Sequence, residues 1–204
     1  IINDVDHPLI IKVASVPQAK IQVYFIDNED FFTRKATVSD DEGNYFEDND
    51  ERSMFFVRGV LETVKKLGWK PDIIHCHGWM TALTPLYIKK LYQDDPHFTD
   101  AKVVYSVYDN GFNKNWDSKF LEKLKFDGFD DADIADLKGV DFVTLTKKAI
   151  QVCDGVIQGS ETIDSEIAKA IKDSDTISLE YYSEESCVKR VNEFYDQIFE
   201  ETAV

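Results

Sequence analysis

The residues best suited by type and spacing to do chemistry are His75-Cys76-His77-Gly78-Trp79. Side chains alternate along a strand, so His75 and His77 share one face and Cys76 points to the other. Two imidazoles on one face suit three roles. As zinc ligands they need a third and usually a fourth protein donor. The other histidines, His7 and His97, stand in unrelated loops, so no metal site is expected. As a structural pair, one ring hydrogen-bonds beneath a loop. As a polar-ligand site, imidazole and the Trp79 indole hydrogen-bond and stack on a sugar, with Thr81 just beyond.

A second constellation is Tyr108-Asp109-Asn110-Gly111-Phe112. Asn-Gly is a common turn dipeptide, so local packing of the aromatic neighbours is the plain reading, and a ligand loop is the functional one. A third, Gly159-Ser160-Glu161-Thr162, leads from a strand pattern into a helix pattern, with Ser160 as candidate N-cap. There is no Gly-x-Gly-x-x-Gly, no Walker motif and no Gly-x-Ser-x-Gly elbow, and hence no visible phosphate cradle or activated serine. None of these residues is assigned a catalytic role.

The elements that must position them alternate. Residues 9–16 and 20–26 are β-rich runs around Pro17-Gln18-Ala19, which predicts a hairpin or a consecutive strand pair. Residues 27–51 read as a long polar loop with one short helix. Apolar residues at helical spacing predict a helix over about 52–67, stopped by Gly68. Then come a short run at 71–77, a helix over about 80–92, a strand at 101–107 and a loop-like stretch over 109–139 with an amphipathic piece at 120–124. Helices at 144–152 and 162–171 flank a strand at 155–159, and a long amphipathic helix covers 186–200. Strand, helix, strand, helix, strand predicts an α/β fold with a doubly wound, mostly parallel sheet in a single domain over 1–204. Right-handed crossovers put every strand C-terminus on one edge, outside which ligands of such sheets bind. The three constellations all fall there.

Bulk properties exclude more than they select. The net charge of −16 removes the Lys and Arg clusters that a nucleic-acid partner rewards. Acidic runs such as Asp40-Asp41-Glu42 read as solvated surface. No run approaches the roughly 18 apolar residues of a membrane span, and no membrane association is expected. Three widely spaced cysteines are no disulfide framework and fit a reducing cytoplasm.

Several segments go further. Asp48-Asn49-Asp50-Glu51-Arg52, Gly59-Val60-Leu61-Glu62 and the continuous stretch from Gly68-Trp69-Lys70-Pro71-Asp72 through Trp79-Met80-Thr81-Ala82-Leu83 resemble the N-terminal domain of bacterial glycogen synthases and plant starch synthases. Lys102–Val107 resembles the family's next strand, and Cys153–Ser160 the strand opening its "TVSPTYA" motif. The likeness spans roughly residues 20–170 in order. It implies half of a GT-B glycosyltransferase, in which this domain meets the growing α-1,4-glucan and part of the donor. A second Rossmann-like domain grips the nucleotide of ADP-glucose, or UDP-glucose in some members. Transfer retains anomeric configuration and uses no metal and no other cofactor.

The departures are as specific. Gly78 stands where the family's "HxHDW" has Asp, Tyr108 where its catalytic His belongs, and Asp109 where the following Asn belongs. The family's "K-x-G-G-L" donor loop is absent from these residues, and one domain rather than two is expected, closed by a helix over about 184–200. The expected cleft residues are His75, His77, Trp79, Thr81, Tyr108, Asp109 and Asn110. Three functions compete: glucosyl transfer, a non-catalytic glucan- or protein-binding relic, and one half of a split enzyme completed by a second polypeptide carrying the nucleotide-binding domain.

Overall fold

Alternating β-branched and aromatic residues pair the first two strands, β1 (Ile10–Val16) and β2 (Ile21–Asp27), as an antiparallel hairpin with Val16 opposite Ile21 and Ile10 opposite Asp27. The hairpin is a sheet of its own and meets the body mainly through β2. Ile26 is buried against Gly59, where a β-carbon would sit 2.8 Å from its Cγ2, and Tyr24 packs edge-on to Trp69 at 5.1 Å. The computed structural model describes residues 1–201 apart from 3 and 35.

After a four-residue helix, α1 (Glu29–Phe32), comes α2 (Asn49–Lys66), three residues earlier at its start than the apolar spacing indicated. Asp50 and Glu51 in its first turn and Lys65 and Lys66 in its last complement the helix dipole. Gly68, at φ +69, ends it. Four parallel strands follow: β3 (Ile73–His77), β4 (Lys102–Val107), β5 (Gly155–Gln158) and β6 (Ile177–Leu179), side by side in that order. Their crossovers carry α3 (Thr84–Lys90), α4 (Phe120–Asp127), α5 (Asp131–Ile134), α6 (Phe142–Val152) and α7 (Ser165–Asp173).

The α/β fold with a parallel sheet is as the sequence indicated, and helices cover both sheet faces. Cys76, Val103, Tyr105, Val107 and Val156 face the main core with residues of α2, α3, α6 and α7. Val104 and Ile157 point the other way, against Phe194 and Ile198 of α8 (Cys187–Glu201). Gly155 lets that helix approach, because a β-carbon there would meet Ile198 Cδ1 at 2.6 Å. Among the described strands the order runs in one direction, so no reversal of strand order falls inside this sheet.

Local details differ from expectation. The helix expected over 80–92 is split into a 3₁₀ turn (Trp79–Thr81) and α3, because Pro85 has no N–H to continue a helix and instead starts one. Ser160 is not an N-cap: α7 starts later and is capped by Asp164, whose carboxylate accepts from the Glu166 and Ile167 amides. The three-residue β6 is too short to show in the sequence pattern. On α8, Phe194 and Ile198 are buried but Val188 and Phe199 are exposed, so the helix presents a narrower apolar stripe than its sequence offers.

Candidate functional site

His75 and His77 lie on the β3 face that α8 covers, with ring centroids stacked at 4.0 Å. His75 is spoken for at both nitrogens: Nδ1 lies 2.6 Å from the Tyr195 hydroxyl of α8 and Nε2 2.7 Å from Ser106 Oγ of β4. Burial, with His77 alongside, pushes its pKa down to about 4, so it is neutral at pH 7. His75 is therefore a fastener between sheet and helix. His77 sits one step further out and is exposed. Its Nδ1 is 2.8 Å from the Tyr108 hydroxyl, which leaves Nε2 as the nitrogen available to a ligand, and burial lowers its pKa as well.

Tyr108 begins the loop after β4. Its ring lies over Gly159 at the end of β5, where a β-carbon would be 2.5 Å from Cε1, and the Gly159 amide donates to Val107 O at 2.7 Å. The Asp109 amide donates to Ser160 Oγ at 3.0 Å, joining the second and third constellations. Gly78, at φ +73, turns the chain out of β3, a conformation glycine adopts without a Cβ penalty. A β-carbon there would stand 3.5 Å from Asn110 Nδ2, which brings Asn110 to the same edge. The fold thus gathers His75, His77, Tyr108, Asp109 and Asn110.

Trp79 and Thr81 do otherwise. Trp79 is 4% exposed and does not line an open edge. Thr81 closes the 3₁₀ turn, its hydroxyl donating to Gly78 O at 3.0 Å. The indole instead backs an aromatic cluster, edge-on to Phe112 at 5.1 Å and Trp116 at 6.1 Å, with Phe112 and Trp116 stacked at 5.3 Å. Beyond Phe112 and Trp116 opens a cavity of about 360 Å³, lined on one side by Tyr45, Phe46, Glu47 and Asn49 and on the other by Phe112, Lys114, Asn115, Trp116 and Asp117. The volume is at the lower end of the range for small-molecule sites, about 300–1,000 Å³, and aromatic faces with a few polar groups are the usual lining. The loop 109–117 belongs to both features: its start forms the strand edge and its end forms one cavity wall.

Sequence reasoning missed the partners that make these groups work. Ser106 had a weak signal, as a small hydroxyl between Tyr105 and Val107 in β4. Tyr195 and the Tyr45, Phe46 and Glu47 part of the wall had none, because nothing local says what a tyrosine on a distant helix or in a polar loop will touch. Among the described residues no group of three or more His, Cys, Asp or Glu could hold a metal ion, and no helix is long and apolar enough to cross a membrane.

A Rossmann-like α/β half-domain, with imidazole, phenol and amide groups at its strand ends beside an aromatic cavity, is the class of protein this fold and site define. Within that class, residues 2–176 match the starch synthase catalytic domain family, and the chain belongs to it. Glycogen synthase of Chlorobium limicola is 44% identical over 108 residues, 52% of this chain and 22% of that protein. Glycogen synthase of Chlorobaculum tepidum is 38% identical over 156 residues, 71% of this chain and 32% of that protein. The fold is similar to the catalytic domain of starch synthase IV from Arabidopsis thaliana bound to ADP and acarbose, with a TM-score of 0.65 at 21% identity, covering 88% of this chain and 38% of that one. The matched chain thus spans 22% to 32% of these two curated relatives.

Proposed function

We propose that these residues form the acceptor-side half of a glucan-elongating glycosyltransferase of the cytoplasm. An α-1,4-glucan lies along the strand edge and in the adjoining cavity, and ADP-glucose (or UDP-glucose) is brought by a nucleotide-gripping half elsewhere in the polypeptide or on a second one. The observation that carries this reading is that a single loop, 109–117, contributes Asn110 to the strand edge near Gly78 and Phe112 and Trp116 to the wall of the cavity opposite Tyr45. Aromatic faces supply apolar contact to pyranose rings, while Asn49, Asn115, Glu47 and Asp117 offer hydrogen-bonding groups for hydroxyls.

Retaining transfer depends on preorganised donors around the pyrophosphate and the anomeric carbon, and loss of one positioned donor typically costs about 10²–10³ in rate. The 204 residues supply one wall of such a site. Tyr108, at the family's histidine position, is held by His77 and packed on Gly159, which favours a sugar-contacting rather than a proton-handling role and keeps the non-catalytic glucan-binding reading in play as the second interpretation.

Calorimetry with maltoheptaose tests the first part, with a Kd in the region of about 1 mM expected, equivalent to roughly −4 kcal/mol. Absence of heat at saturating sugar would remove the glucan reading. Incubation with radiolabelled ADP-glucose and glycogen tests the second. Turnover by the 204-residue polypeptide alone would overturn the half-site interpretation, and turnover only with added nucleotide-domain polypeptide would support it.

A further inference from the structure

The cavity lies between two segments that each lead into a helix: 45–49 runs into α2, and 112–117 runs toward α4. Such a cleft is only as well defined as the ties across it. Near the loop tips, the Tyr45 hydroxyl donates to Gly111 O at 2.8 Å. At the rim, Lys114 Nζ is 3.5 Å from Glu47, but both groups are well exposed, and such pairs contribute less than about 1 kcal/mol.

The tie beneath the cavity is different. Lys123 of α4 has a side chain only 5% exposed, and its ammonium lies 2.6 Å from Asp50 Oδ2, 2.9 Å from Glu51 Oε1 and 3.2 Å from Asp117 Oδ2. Asp50 and Glu51 belong to the first turn of α2, at the base of one wall; Asp117 lines the other. Burial works against the Lys123 charge, but the hydrogen bonds that its ammonium donates to Asp50 and Glu51 outweigh it and hold the pKa above the usual lysine value. As a stabilising device the cluster is poor. One cation faces three carboxylates, Asp50 is fully buried, and its Oδ1 has no hydrogen-bond partner. Apolar residues of similar volume often do as well or better in such a position. What the ion set does, and apolar packing would not, is fix two helix starts in one register directly under the cavity.

We infer that Lys123 is a positioning residue for the carbohydrate cavity, its ammonium clamping Asp50 and Glu51 under one wall to Asp117 in the other and so setting the width of the cleft. The inference rests on the reading of that cavity as a glucan site. A cleft left loose by its supporting residues loses affinity even when every contacting group is present.

The test compares the wild-type chain with Lys123→Met, Lys123→Arg and the paired variant Lys123→Met/Asp50→Asn, which leaves no unpaired buried ammonium or aspartate if the single exchange folds poorly. Amide hydrogen exchange is read without sugar at 45–49 and 112–117 against β4. The expected result in the paired variant is exchange about tenfold faster in the two walls with β4 unchanged. Maltoheptaose affinity should fall about tenfold there, while Lys123→Arg, which keeps the charge, should stay within about threefold of wild type. Equal acceleration in β4, or none in the walls, would make Lys123 a general stability element and overturn the inference. Unchanged affinity in the paired variant would overturn it too and leave the glucan reading standing. Wild type that binds no maltoheptaose, with the walls still loosened in the variant, would fail the glucan reading and keep the clamp.

Discussion

His75 and Tyr195, 120 positions apart in the chain, share a hydrogen bond of 2.6 Å that joins the β3 edge to α8. The other nitrogen of the same imidazole meets Ser106, so one ring links strand, strand and helix. This makes His75 the support on which the outer pair, His77 and Tyr108, is stacked.

Removing the phenol hydroxyl should therefore be felt. Tyr195→Phe leaves a half-buried imidazole nitrogen without its partner, and we expect a loss of roughly 1–3 kcal/mol in urea unfolding. An unchanged midpoint would mean that Phe194 and Ile198 alone hold α8 to the sheet.

The same imidazole gives a pH dependence of defined sign. Its folded pKa of about 4 lies below the ordinary value of 6.5, so between the two the unfolded chain binds a proton that the folded chain does not. Stability from this group is complete above about pH 6.5 and is lost as pH falls toward 4. His77, also lowered by burial, acts in the same direction. Thermal unfolding across this window should show His75→Gln losing less stability on acidification than wild type. Parallel curves for the two proteins would contradict the assignment.

Gly159→Ala addresses the outer pair. The added methyl would start 2.5 Å from the Tyr108 ring, so the ring must move and His77 Nδ1 loses its partner. Overpacking of this kind costs about 1–3 kcal/mol. The specific readout is the ring-nitrogen NMR spectrum of His77, whose Nδ1 signal reports the hydrogen bond to the Tyr108 hydroxyl; a spectrum identical to wild type would remove the proposed coupling.

Lys114→Ala separates binding from folding. Lys114 is at the cavity rim in a well-exposed pair with Glu47, so the unfolding midpoint should be unchanged within about 0.5 kcal/mol. Maltoheptaose affinity should fall severalfold. A shifted midpoint with unaltered affinity would reverse the assignment of this rim.

Much of the architecture was legible in the chain. The β-branched runs, the helical spacing of Phe55, Phe56, Val60, Leu61, Val64 and Leu67, and the glycine stop at Gly68 are local signals, and local geometry obeys them. The alternation of strand and helix was enough for a parallel sheet, and the residues from Gly68 to Leu83 carried the family. Placing the constellations after the strands also put five of the seven expected site residues on one edge, since right-handed crossovers leave the strand ends no other arrangement.

What the chain could not declare was how its pieces meet. Trp79 looks like a sugar platform beside two histidines, yet the turn at Gly78 sends it into the core behind Phe112 and Trp116. Lys123 reads as an ordinary solvated lysine on an amphipathic helix, and becomes a buried cation only because α4 packs against the start of α2. Side-chain period and propensity act over a few residues and are written in sequence. Burial, tautomer and charge are set by groups tens of positions away, and only the packed fold brings them within a few ångströms.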